Sequence, residues 1–124
     1  MRTRRGFFAG GLMLVVLGLV AAAAVAAPGP LAPIQTVEIG PQGQFIVNGE
    51  PFIPLMSWLQ RSSRFSLLRS LNFNTFMGNQ KTPLEQAQAA AAAGGYCVVQ
   101  SSSTSEVNAA KSHTAILAWH HSDE

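Results

Sequence analysis

The sequence holds one cysteine, Cys97, and contains neither a C-x-x-C pair nor an H-E-x-x-H run. A lone cysteine cannot close an internal disulfide, and without those ligand spacings neither a structural zinc site nor any other metal centre is expected. Cys97 lies in the apolar stretch Tyr96-Cys97-Val98-Val99 with no basic neighbour to lower its pKa. It reads as a buried structural thiol, not a nucleophile. Charge is also scarce, at 11% of residues. Three of the eight basic residues, Arg2, Arg4 and Arg5, crowd the N-terminus. The rest carries five basic against six acidic residues, near neutrality. That balance excludes nucleic acid and anionic membrane surfaces as expected partners.

What the N-terminus does have is a long apolar run. Residues 6–27 carry no charge and follow the arginine-rich start, the layout of an export signal. Ala24 and Ala26 form an A-x-A-like cleavage site, so residues 1–26 are expected to be the signal. Thr3-Arg4-Arg5-Gly6-Phe7-Phe8 resembles the twin-arginine variant, although ordinary secretory signals also place two arginines before an apolar run. The segment is long enough to remain as an uncleaved anchor instead, since ~20 apolar residues span a bilayer. Residues 27–35, with three prolines and a glycine, read as an extended linker.

From residue 36 the pattern is that of short elements in alternation. Residues 36–39 and 44–47 alternate as strands, and Asn48-Gly49 is a two-residue hairpin signal leading to a third apolar run over 50–56. Pro51 and Pro54 belong at edges, because proline cannot donate to a ladder. Phe65, Leu68 and Leu71 share a helical face over 64–71, with Ser62 or Ser63 as cap and Arg61, Arg64 and Arg69 on the solvated side. Asn72 suits the helix end, and residues 73–77 the next strand. Thr82-Pro83-Leu84-Glu85 is a capping box with proline at the first helical position. That helix runs through the alanines to Gly94-Gly95. Residues 96–100 form a further strand, 101–105 a serine/threonine loop, 106–112 a short helix and 115–120 a closing strand. Alternation with short connections argues for parallel βα units in one sheet, built from strands at 54–58, 73–77, 96–100 and 115–120.

Four segments resemble retaining glycoside hydrolases of the clan that includes β-galactosidases, cellulases and mannanases. Gly43-Gln44-Phe45-Ile46-Val47-Asn48-Gly49-Glu50-Pro51-Phe52 is similar to the hairpin that leads into their first barrel strand. Leu71-Asn72-Phe73-Asn74-Thr75 is similar to the opening of their second, and Ala93-Gly94-Gly95-Tyr96-Cys97-Val98-Val99 to their third. His113-Thr114-Ala115-Ile116-Leu117-Ala118-Trp119, continuing through His120, His121, Ser122, Asp123 and Glu124, resembles their fourth strand. The resemblance implies an α/β fold, the first four βα units of a (β/α)8 TIM barrel over 36–124, and hydrolysis of glycosidic bonds in oligo- or polysaccharides.

In that clan the glutamate ending the fourth strand is the general acid/base, which the resemblance carries to Glu124. Asp123 stands where many members have a sugar-binding Asn. The retaining mechanism takes a second carboxylate as nucleophile; in the clan it follows the seventh strand, so no residue here is expected to fill that role and the chain alone is expected to be inactive. No cofactor is implied. Trp58, at the end of the first strand, and His120, after the fourth, are the further substrate-binding candidates. His120 and His121 point to opposite faces of a strand and are not expected to share a metal. The rival expectation is a small exported or membrane-tethered α/β binding or structural module without catalysis.

Overall fold

The computed structural model describes residues 26, 28–78, 81–101 and 103–121. The signal expected over 1–26 lies outside the described residues except for Ala26. Strands β1 (Val37–Ile39), β2 (Phe45–Val47) and β3 (Glu50–Phe52) form an antiparallel sheet in that order. The β2–β3 turn is tight because Asn48 and Gly49 both take positive φ, 53° and 85°, a conformation these two residues tolerate best. Asn48 also uses its side chain. Its Oδ1 accepts from the backbone N–H of Gln35 at 2.7 Å, and its Nδ2 donates to the Pro33 carbonyl at 3.1 Å.

A second sheet holds β4 (Met56–Trp58), β5 (Thr75–Met77), β6 (Tyr96–Val99) and β7 (Ile116–Trp119). All neighbours are parallel and the spatial order follows the chain order. Helices α1 (Phe65–Ser70), α2 (Pro83–Ala92) and α3 (Thr104–Ala110) connect them. The chain is therefore mixed α/β with a four-stranded parallel sheet.

Register separates the two faces of this sheet, because side chains alternate along each strand. Ser57, Phe76, Cys97 and Ile116 are laterally aligned. Phe76, Cys97 and Val99 meet Phe65, Ala87 and Ala90 from α1 and α2 in the main core, with Ile116 packed against it. The rings of Phe65 and Phe76 stack at 4.1 Å, nearly parallel. The alanines of α2 let it approach closely: a Cβ on Gly95, just beyond it, would come within 2.7 Å of the Phe76 ring. On the opposite face a second cluster joins Tyr96 and Leu117 to Val47 of the antiparallel sheet, with Phe45 and Phe52 alongside. Tyr96 and Leu117 stand at the starts of β6 and β7, so the small sheet covers the N-terminal end of that face.

Two sequence expectations are corrected here. Ser62 and Ser63 do not cap α1; they form a 3-10 turn, and the cap position falls on Arg64, which makes no side-chain cap bond. Arg69 is not solvated but buried. Its Nε donates to the Gly94 carbonyl at 3.0 Å and its Nη2 to the Gly29 carbonyl at 2.5 Å, a fork that fits two acceptors at once. With Leu31 N–H bonded to Gly94 O and Ile34 N–H to Thr114 O, the proline-rich segment from residue 28 is held along the domain. Asn74, just before β5, ties that strand to the chain before β4: its Oδ1 accepts from Leu55 N–H and its Nδ2 donates to Ile53 O. The capping box of α2 is present in full, with Thr82 accepting from Glu85 N–H and Glu85 accepting from Thr82 N–H.

Candidate functional site

The C-terminal ends of β4–β7 bring the described candidates together. Trp58, Met77, Val98 and Ala118 are laterally aligned on the face opposite the helices. One residue past β7, His120 donates its backbone N–H to Val99 O at 2.7 Å. The rings of Trp58 and His120 meet edge to face, with centroids 6.2 Å apart and planes at 88°. These residues belong to the first and last strands of the sheet. In a flat sheet three strand spacings would separate those strands by ~14 Å. Ring contact across that gap means that the two side chains converge over one concave face.

The backbone around Trp58 is tightly determined. Leu59 takes φ 47°, uncommon for a bulky residue, while its N–H donates to Met77 O at 2.9 Å. Gly78, at φ 89°, lies beside it; a Cβ there would come within 2.5 Å of Leu59 Cδ2. The chain can thus turn sharply after β4 because a glycine follows β5. Trp58 remains 57% exposed at the rim of the concavity.

Trp119 faces the other way. It aligns with Val99 on the helix side and is 39% exposed. With Ser101, Val107, His120 and His121 it lines a depression of about 340 Å³. Ser101 Oγ donates to Glu106 Oε2 at 2.7 Å, anchoring the β6–α3 loop to the first turn of α3. Sequence reasoning passed over Ser101 and Glu106 because a serine-rich loop carries no distinctive spacing. For Ser101 the signal was position, two residues past a parallel strand.

Asp123 and Glu124, the sugar-contact and acid/base candidates respectively, lie outside the described residues. Among the described residues, the structure unites Trp58 with His120 at that rim. Cys97 is buried, and burial pushes its thiol up to about 12; its Sγ donates to Ala115 O at 3.5 Å. It has no access to a substrate. Among the described residues no three His, Cys, Asp or Glu side chains are grouped to hold a metal ion. No described helix is long and apolar enough to cross a membrane. The chain matches no protein-family model, no curated protein and no solved structure.

Proposed function

We propose that this chain forms the first four βα units of a retaining glycoside hydrolase-like barrel, exported from the cell, whose concave strand ends bind carbohydrate. The observation that carries the reading is the convergence of Trp58 and His120 above a sequential, all-parallel sheet. Barrel enzymes place ligand sites at the C-terminal ends of their strands. An exposed indole there offers a flat apolar face to a sugar ring, and the imidazole offers a hydrogen bond to its hydroxyls. In this reading Glu124 protonates the leaving oxygen and Asp123 contacts the sugar, both by resemblance. The chemistry also requires a nucleophilic carboxylate ~5–5.5 Å from the acid, and no carboxylate of this chain is assigned to it. The chain on its own is therefore expected to bind glycans without turning over aryl glycosides.

Tryptophan fluorescence tests this. Titration with β-gluco-, β-manno- and β-galacto-oligosaccharides should shift the emission, and Trp58→Ala should abolish the response while Trp119→Phe retains it. No response from any of the three series would overturn the proposal. A second reading, a small exported or membrane-tethered module without catalysis, draws on the antiparallel sheet and the proline-rich segment, both of which pack on the parallel sheet. It predicts a cooperative unfolding transition with no glycan shift of the midpoint.

A further inference from the structure

The proline-rich segment before β1 is extended but not free. From Gly29 to Thr36 its backbone is bonded to the domain at nearly every residue. Gly29 O accepts from Arg69 Nη2 at 2.5 Å, and Leu31 N–H donates to Gly94 O at 3.0 Å. Ala32 O accepts from the Tyr96 hydroxyl at 2.6 Å, and Pro33 O accepts from Asn48 Nδ2 at 3.1 Å. Ile34 N–H donates to Thr114 O at 2.8 Å, and the N–H groups of Gln35 and Thr36 both donate to Asn48 Oδ1. Pro30, which has no N–H, lies over Gly94, where a Cβ would come within 2.9 Å of the Pro30 Cα. Leu31 and Ile34 pack against Val47, Tyr96 and Leu117. Gly94 and Thr114 sit in the turns before β6 and β7. The segment is thus a strap across the N-terminal ends of those strands, at the opposite end of the sheet from Trp58 and His120.

Resting on the export reading and not on its glycan chemistry, we infer that the signal is removed before the domain folds. The chain then crosses the membrane unfolded, by the general secretory route and not the twin-arginine one. The A-x-A-like site puts the scissile bond between Ala26 and Ala27. Cleavage adds water across that bond, leaving a carboxylate on Ala26 and an ammonium on Ala27. Gly29, the first clamped residue, follows Ala26 by only three positions, a reach of at most ~10 Å even fully extended. A domain of about this length has a radius of gyration of ~13 Å, so its bulk would stand against any protease seated on the bond. A protease cleft also draws several residues beyond the bond into an extended conformation of its own. Here those residues include Gly29 and Leu31, whose backbone groups are held by Arg69 and Gly94. Twin-arginine export delivers chains that are already folded, whereas the general route threads them through beforehand. Only the second presents the Ala26–Ala27 bond with the strap still loose.

The test uses the full chain and a purified signal peptidase in detergent micelles, with cleavage read by intact mass. An insert of about eight Gly/Ser residues between Ala27 and Pro28 adds flexible reach without altering a clamped residue, and circular dichroism checks that the variant folds as the unmodified chain does. Once folded, the unmodified chain should be cut at least about tenfold more slowly than the insertion variant, because proteolysis of a closed segment tracks the population of its open form. When the peptidase is present during cell-free synthesis, the two should be cut alike. Equal rates for the two folded chains overturn the inference and leave the export reading standing. Resistance of the folded insertion variant also overturns it, since the strap is then not the obstacle. If neither chain is cut even during synthesis, the cleavable signal itself is wrong and the inference falls with it.

Discussion

The two faces of the parallel sheet are built from the same strands yet are completed to different degrees. On the helix side Phe76, Cys97 and Val99 have no exposed surface, because α1 and α2 lie over them. On the concave side Tyr96, Val98 and Leu117 are covered, while Met56 and Trp58 remain about half exposed. The helix side is covered by the crossover helices, which each βα unit brings with it. The concave side depends on what stands opposite, and among the described residues the small antiparallel sheet and the segment with Leu31 and Ile34 do so, at one end. Stability should therefore reside on the helix side and recognition at the concave rim.

Substitution of Phe76 breaks that contrast most severely. Its ring is fully buried and stacks on Phe65. Phe76→Ala should cost about 3–5 kcal/mol, the usual range for deleting a core aromatic. For a domain of this size that approaches the whole stability. Chemical denaturation with circular dichroism measures it, and Phe76→Leu, a smaller loss, gives a graded point if the alanine variant does not fold. A loss below 1 kcal/mol for Phe76→Ala would show that the helix-side core is not what holds the chain together.

An intermediate effect comes from alkaline pH, through Cys97 on the helix side and Tyr96 on the opposite face. Burial raises the Cys97 thiol from 9.0 to about 12, and Tyr96 is shifted up by burial as well. For such an acid the unfolded chain loses its proton first. Between pH 9 and 12 the folded state therefore binds more protons than the unfolded state, and stability falls as pH rises. The slope reaches at most about 1.4 kcal/mol per pH unit for each group. Cys97→Ala should flatten the part of the denaturation midpoint's pH profile that begins near 9. An unchanged profile would mean that the thiol is not shielded in the fold.

How much of this was legible depended on whether a feature was local. The capping box at Thr82–Glu85, the Asn48-Gly49 turn and the glycine stop at Gly94 are set by neighbouring residues, and the sequence states them directly. The alternation of strands and helices foretold the parallel order, since short connections leave few topologies. The start of α1 was misplaced because Ser62 and Ser63 are good caps in isolation, while a 3-10 turn shifts the cap position to Arg64. Arg69 was misjudged for a longer-range reason. Its acceptors, Gly94 O and Gly29 O, come from segments 25 and 40 residues away, and nothing beside Arg69 announces them. At the candidate site, Trp58 and His120 could each be assigned to a strand end from pattern. That they touch follows only from the curvature of the sheet, which no short window encodes.

The smallest expected change in stability, and the sharpest test of the contrast, is Trp58→Ala. The indole is mostly exposed, and its one described ring partner is the half-buried His120. Truncation at such a surface position ordinarily shifts stability by no more than about 0.5 kcal/mol. The backbone turn should survive, because Leu59 N–H to Met77 O and the glycine at 78 do not depend on the indole. What should be lost is the contact itself: the His120 ring-proton resonances should move toward ordinary solvated values as the nearby indole is removed, while Phe76 signals stay in place. Thermal denaturation and proton NMR of the same variant read the two quantities separately. If Trp58→Ala lowered stability as much as Phe76→Leu, the concave rim would be part of the core, and the separation of stability from recognition across the sheet would fail.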